Sequence, residues 1–176
     1  MSVARRKLVQ ALMAEEQWQE AAAELLQITR AEPRDAKSWW NLGWCYFKLE
    51  EFESAVRILE QACALAPDRA VFHWALATAL AESEDISRAE AEFRHALTLR
   101  DGYLSWAGLA LLLLQHGRTS EAEAAHHEAI ARRPDSRERV EAYADFLFDT
   151  GREDEARLQY AAARRLWFES NKEPLS

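Results

Sequence analysis

The chain has 176 residues, with only five glycines and four prolines, and a formal net charge of -8 at pH 7. Alanine, leucine, glutamate and arginine dominate the composition and favour helix, so we expect an all-α protein. A chain this acidic presents no broad basic field, so neither nucleic acid nor an anionic lipid surface is expected as a partner.

The N-terminal segment carries basic residues but reaches Glu15 and Glu16 before any apolar run as long as a signal peptide requires. No later window is long and apolar enough to cross a bilayer, so we expect a cytoplasmic protein without membrane insertion. Cys45 and Cys63 both lie in apolar helical stretches. That placement favours buried, reduced thiols over a disulfide or a metal site.

Five alanines recur along the chain at steps of 34, 34, 33 and 34 residues: Ala21, Ala55, Ala89, Ala122 and Ala156. Pro33, Pro67 and Pro134 each follow one of them by twelve residues, and Asp101 takes the place of the proline in the short repeat. A fixed period of this length is typical of repeat proteins. It predicts one domain, residues 1–170, made of five repeats and followed by a polar tail: 2–35, 36–69, 70–102, 103–136 and 137–170, then 171–176.

Each repeat contains two apolar blocks with helical spacing, and a short polar or glycine-containing break separates them. We therefore predict two antiparallel helices per repeat. Ser87 precedes Glu90 by three residues, and Ser120 precedes Glu123 likewise, so reciprocal capping boxes are predicted at the start of two second helices. The recurring alanines, with small residues such as Gly43 on the first helices, would let the paired helices approach closely.

The second repeat carries a characteristic order of residues: Trp39, Leu42, Gly43, Tyr46, Ala55, Leu59, Ala62 and Pro67. This order resembles the tetratricopeptide repeat nearly position for position, and the match extends over almost the whole chain. Repeat one lacks the tryptophan and the glycine, and repeat five has Val140 at the tryptophan position. The resemblance implies a right-handed superhelical solenoid of about five helix-turn-helix units, whose first helices line a concave groove that usually holds the ligand.

The resemblance also implies which residues face that groove, because the family uses the second, fifth, ninth, twelfth and thirteenth positions of each repeat. The candidate peptide-binding groove consists of Arg6, Gln10, Lys37, Trp40, Trp44, Phe47, Val71, Trp74, Leu104, Leu111, Leu114, Glu138, Glu141, Asp145, Phe148 and Asp149. No catalytic, cofactor-binding or metal-binding residue is assigned.

The tryptophans of this lining indicate an aromatic binding surface. Trp40 and Trp44 are four residues apart on one helix face, and large aromatic rings in a groove are common binding hot spots. The alternative is that these rings belong to the core, as Trp39 is expected to do.

The lining of repeat five is acidic. Glu138, Glu141, Asp145 and Asp149 are three or four residues apart and share one helix face. They would attract a ligand whose flank carries lysine or arginine, although a solvated helix face without a partner would show the same pattern.

We therefore expect a protein-interaction module, an adaptor that binds an apolar peptide or partner segment with a basic flank in its concave groove. Two alternatives stay open: a chaperone that shields an aggregation-prone partner, and a self-associating structural scaffold. Self-association into a homodimer would use the C-terminal end, if Trp167 and Phe168 are exposed there rather than folded back over their own repeat.

No enzymatic activity and no cofactor are expected. The five histidines form no metal-ligand pattern, and the chain has no phosphate-cradling glycine loop and no nucleophile elbow. The connections between such regular helices are also too short to carry a catalytic constellation.

Overall fold

The computed structural model describes residues 3–171, so the predicted polar tail lies outside the described residues except for Asn171. The described chain contains ten α-helices and no strand, which confirms the all-α prediction and gives five helix-turn-helix pairs. The helices are α1 (Val3–Ala14), α2 (Trp18–Ala31), α3 (Ala36–Lys48), α4 (Phe52–Leu65), α5 (Ala70–Glu82), α6 (Ile86–Leu99), α7 (Tyr103–Gln115), α8 (Thr119–Arg132), α9 (Arg137–Asp149) and α10 (Glu153–Ser170). None of these helices is long and apolar enough to cross a membrane.

The helices form two compact bodies, which divide between Asp101 and Gly102. The N-terminal body contains α1 to α6 and the C-terminal body contains α7 to α10. Within each body the two helices of a repeat pack together, and a second helix also packs against the first helix of the next repeat. First helices meet as well, α3 with α5 and α7 with α9. Side chains from adjacent first helices can therefore form a common surface within each body.

Small residues at the helix contacts set the spacing inside the repeats. The five recurring alanines all lie in second helices and are fully buried, as their packing role requires. Gly43 of α3 faces Leu59 of α4, and a Cβ atom at Gly43 would lie 2.5 Å from Leu59 Cγ. Close-packed interiors do not admit such an approach, so α3 and α4 pack at a distance that requires glycine.

The turns inside the repeats share one backbone conformation. The second residue after the first helix has a positive φ in all five repeats, between 57° and 78°: Glu16, Glu50, Glu84, Gly117 and Gly151. The next N–H then donates to the carbonyl five residues earlier, as Glu51 does to Tyr46 over 3.0 Å. This is the Schellman arrangement, which satisfies carbonyls at the end of a helix. Three glutamates thus occupy a conformation that costs an L-residue about 1–2 kcal/mol.

The predicted capping boxes are wrong. Helix α6 begins at Ile86, before Ser87, and its cap is Asp85, whose carboxylate accepts a hydrogen bond from the N–H of Arg88. Helix α8 begins at Thr119, directly after the turn and before Ser120, and its cap position has no side-chain hydrogen bond. The physical reason is the left-handed turn, which leads the chain into the second helix one or two residues earlier than the serines indicate.

Both cysteines lie in the core of the N-terminal body. Cys45 and Cys63 are buried and unpaired. Burial raises the pKa of each thiol to about 12, because an apolar environment disfavours the thiolate. They therefore act as small apolar core residues rather than as reactive groups.

Candidate functional site

Three aromatic rings from adjacent first helices form what we call the aromatic face: Trp44 and Phe47 on α3, and Trp74 on α5. Trp44 lies at its centre, with its ring centroid 5.0 Å from that of Phe47 and 5.4 Å from that of Trp74. All three side chains are partly exposed. The contact between α3 and α5 therefore builds a continuous aromatic surface in the N-terminal body.

Two neighbours define the character of the aromatic face. The ammonium of Lys48 lies 5.4 Å from the centroid of the Trp44 ring, a cation–π contact that places a positive charge at the edge of the face. Trp40, one turn before Trp44, stacks on the buried Phe72 at 5.7 Å. Its Nε1 atom is buried and has no hydrogen-bond partner among the described residues. Trp40 thus contributes to packing between α3 and α5 as well as to the surface.

The remaining predicted residues of the N-terminal body lie outside the aromatic face. Arg6 forms an ion pair with Asp35 at 2.6 Å and a second with Glu32, so its charge is used to connect α1 to the turn between α2 and α3. Arg6, Gln10 and Lys37 line a small cavity of about 60 Å³. Val71 is exposed on α5.

Four of the predicted residues of the C-terminal body line a cavity between its first helices, which we call the α7–α9 pocket. Leu111 and Leu114 of α7 and Asp145 and Asp149 of α9 all line it. Its volume is about 180 Å³, and its remaining walls are Ala107, Ala110, His126, Ala142 and Phe146.

Other apolar side chains of the C-terminal body face solvent near this pocket. Phe148 is 57% exposed and Leu104 is exposed as well, and the pocket residue Leu111 is itself 53% exposed. Single exposed apolar residues are common, but these lie on the same two first helices as the pocket. They extend the apolar surface available to a partner.

Two of the four predicted acids on α9 are partly compensated within the helix and its cap. Glu138 accepts a hydrogen bond from the Ser136 hydroxyl at 2.9 Å, and its own backbone N–H together with that hydroxyl lowers the pKa of its carboxyl group. Glu141 pairs with Arg137 at 2.7 Å. Glu138 therefore stays ionised, and Glu141 is paired with a cation on its own helix.

The other two acids lie at the α7–α9 pocket. The Tyr160 hydroxyl donates to Asp145, and that hydrogen bond raises the pKa of the phenol to about 12. Asp149 forms no hydrogen bond or ion pair with another side chain within residues 3–171. The uncompensated charge of the acidic helix is thus concentrated at the pocket.

His126 is a pocket residue to which the sequence analysis assigned no site. It is only 6% exposed, its ring contacts Phe146 at 5.1 Å between centroids, and it forms no hydrogen bond within the described chain. Burial lowers the pKa of its imidazole to about 4, so the ring is neutral at pH 7. The sequence did indicate that position 126 is buried, because the same position of the first three repeats holds an apolar residue: Leu25, Leu59 and Phe93.

The C-terminal end of the chain exposes a second aromatic surface. Trp167 is 43% exposed and Phe168 is 49% exposed, and their ring centroids lie 4.9 Å apart. Both line a cavity of about 370 Å³ together with Tyr160 and Arg164 of α10. The described residues contain no cluster of three or more histidine, cysteine or acidic side chains that could hold a metal ion.

Comparison with known proteins identifies the repeat. The tetratricopeptide repeat family matches four overlapping stretches of the chain: residues 6–70, 46–103, 74–126 and 107–169. The tetratricopeptide repeat-containing protein trd-1 of Caenorhabditis elegans is 25% identical over 128 residues, which is 72% of this chain. The aligned part makes up 17% of the length of that protein, so the chain spans only a small part of this relative.

Solved structures share the fold. A thermophilic TPR protein of Thermus thermophilus matches with a TM-score of 0.73 and 21% identity, over 93% of this chain and 90% of that one. MamA from Desulfovibrio magneticus matches with a TM-score of 0.71 and 14% identity, over 97% of this chain and 96% of that one. At these identities the likeness shows the fold alone, an all-α solenoid of tetratricopeptide units.

Proposed function

Because the chain belongs to the tetratricopeptide repeat family, whose fold supports protein-interaction and scaffold modules, we propose that it is an adaptor that binds an apolar segment of another protein. The observation that carries this proposal is the aromatic face. Trp44, Phe47 and Trp74 are partly exposed, in mutual contact, and supplied by two adjacent first helices. Tryptophan is enriched at the centre of protein interfaces, where its truncation typically costs about 2 kcal/mol or more.

The packing of these rings favours binding in a second way. Each ring is held by its neighbours, so little side-chain entropy remains to be lost when a partner covers it. The positive charge of Lys48 disfavours a basic residue at this face. A basic residue of the partner instead suits α9 of the C-terminal body, which carries Glu138, Glu141, Asp145 and Asp149.

A peptide library displayed on phage tests this proposal. Panning on the full chain should enrich peptides with large apolar residues and an arginine or lysine, and Trp44→Ala or Trp74→Ala should abolish their binding. Leu158→Ala is the control, since it removes an exposed apolar side chain of α10 that belongs neither to the aromatic face nor to the C-terminal aromatic surface. Circular dichroism establishes that each variant remains folded. Peptides that bind Trp44→Ala and the parent chain equally would refute the proposal.

The C-terminal end supports self-association as a second candidate function. Trp167 and Phe168 are about half exposed, which is unusual for two adjacent large aromatic residues in water. Light scattering tests it: a mass above 20.2 kDa that returns to the monomer value with Trp167→Ala would support a dimer through this end. A monomer at millimolar concentration would eliminate it.

A further inference from the structure

The α7–α9 pocket combines an apolar floor, a buried histidine without a hydrogen bond and an acidic rim, of which Asp145 is bonded to Tyr160 and Asp149 has no side-chain partner within residues 3–171. We propose that this pocket binds one arginine side chain of the partner protein. The inference rests on the proposed function, because it names arginine as the basic residue of the partner and the pocket residues that would contact it.

The size and floor of the pocket suit a single long side chain. Its volume of about 180 Å³ is below the range of about 300–1,000 Å³ that holds drug-sized molecules. Leu111, Leu114 and Phe146 form an apolar floor that can cover the methylene stem of such a side chain. Arginine and lysine bury this stem along apolar surface while the charged end reaches polar groups.

The inner wall provides an acceptor that lacks a donor. His126 is more than nine-tenths buried, lines the pocket and forms no hydrogen bond within residues 3–171. A neutral imidazole has one acceptor nitrogen and one N–H donor. Trp40 Nε1 is the fully buried side-chain atom without a partner among the described residues, so the His126 nitrogens stay accessible from the pocket, and a ligand that donates to the imidazole adds a hydrogen bond there.

The rim provides two carboxylates. Asp145 uses one oxygen, Oδ1, to accept the Tyr160 hydroxyl, which leaves Oδ2 available. Asp149 is exposed and has no side-chain partner among the described residues. Charge-assisted hydrogen bonds from a guanidinium to such carboxylates are among the stronger ones in proteins.

Arginine matches this set better than other residues. A guanidinium carries five donors in a rigid plane and no acceptor, so it can reach the imidazole nitrogen and a carboxylate together. The ammonium of lysine is more strongly hydrated and loses more solvation when it approaches a buried wall. An acidic residue is repelled by Asp145 and Asp149, and an apolar residue leaves His126 without a donor.

Titration of the full chain followed by NMR tests the proposal. The probe is Nα-acetyl-L-arginine methylamide, and the matched control is the citrulline analogue, which has nearly the same shape but no charge. We expect saturable shifts at Leu111, Leu114 and His126, with a dissociation constant on the order of 10 mM, and at least about tenfold weaker binding of the citrulline and lysine analogues.

Two variants locate the site. Asp149→Asn should weaken binding of the arginine probe about fivefold to tenfold, whereas Asp154→Asn, the same change at an exposed aspartate of α10 outside the pocket, should leave it unchanged. His126→Leu fills the buried position with an apolar side chain and should reduce the preference for arginine over lysine.

Several results would overturn the inference: no saturation by the arginine probe, equal binding of arginine and citrulline analogues, or shifts that Asp149→Asn does not alter. These outcomes are separable from failure of the proposed function, which depends on the aromatic face. Loss of peptide binding in Trp44→Ala with an inert pocket would refute only the arginine site. Arginine binding with no effect of Trp44→Ala would refute only the role of the aromatic face.

Discussion

The contact between Gly43 and Leu59 predicts that Gly43→Ala destabilises the protein, although alanine is the better helix former. A Cβ atom at position 43 would lie 2.5 Å from Leu59 Cγ and 2.8 Å from Leu59 Cδ2. Leu59 is fully buried and cannot move into solvent. Overpacking of this kind costs about 1–3 kcal/mol, and the gain in helix propensity returns about 1 kcal/mol. An approach of 2.5 Å belongs at the upper end of that range, about 2–3 kcal/mol, so the net loss in free energy of unfolding should be about 1–2 kcal/mol.

A double-mutant cycle separates the two effects. Leu59→Ala removes both atoms that the new methyl group would strike, at its own cost of about 2–5 kcal/mol. In that background only the helix propensity remains, so Gly43→Ala should stabilise the protein by about 1 kcal/mol. The same substitution therefore changes sign with the residue at position 59, because the two sites are in direct contact.

Urea unfolding followed by helical circular dichroism measures all four variants of this cycle. The urea midpoints are compared only if the free energy of unfolding depends on urea concentration with the same slope in each variant. An equal slope shows that unfolding exposes the same amount of surface. A Gly43→Ala variant as stable as the parent chain would refute the reasoning. So would an equal cost in the parent chain and in the Leu59→Ala background, because the contact would then not be the cause.

Three further predictions concern the turns and the charged groups. Glu50→Gly should raise the free energy of unfolding by about 0.5–1 kcal/mol, because φ is +61° there, whereas Gly151→Ala should lower it by about 1 kcal/mol; urea unfolding measures both. A hydrogen bond from Arg152 lowers the pKa of Glu123, so Arg152→Gln should raise that pKa in an NMR titration. The loss of stability in this variant should be present at pH 7 and disappear as the pH falls below the carboxylate range, where both chains have a neutral Glu123. Burial lowers the pKa of His126 from 6.5 to about 4, so on acidification the unfolded chain binds a proton before the folded chain does. The free energy of unfolding should therefore fall by about 3 kcal/mol as the pH is lowered from 6.5 to 4. His126→Leu should lose less stability over that range, and an acid response equal to that of the parent chain would contradict the assignment.

The repeat spacing predicted the helix pairs well because it records a packing requirement. Alanine recurs where two helices touch, and these alanines are all buried. The same period appears in the left-handed turn residues, although a sequence search for glycine finds only Gly117 and Gly151. Glu16, Glu50 and Glu84 accept the same conformation because the hydrogen bonds of the turn compensate its cost.

Local capping signals failed for a related reason. Ser87 and Ser120 have suitable partners three residues later, but each second helix has already begun at the preceding residue. The turn geometry, fixed by the close approach of the two helices, sets the start of the second helix. A capping motif describes a single helix, so it carries no information about the packing of two helices that sets the turn.

The amino-acid sequence by itself determined the all-α class and the five helix pairs, because these depend on period and side-chain size, and it predicted which first-helix residues line a groove. Only the tertiary structure decided which of those residues share a site. Arg6 is used in ion pairs with Glu32 and Asp35, whereas Asp149 has no side-chain partner within residues 3–171. His126 joins the α7–α9 pocket from a different helix. Pairing and pocket formation depend on distances between helices, which a one-dimensional period does not specify.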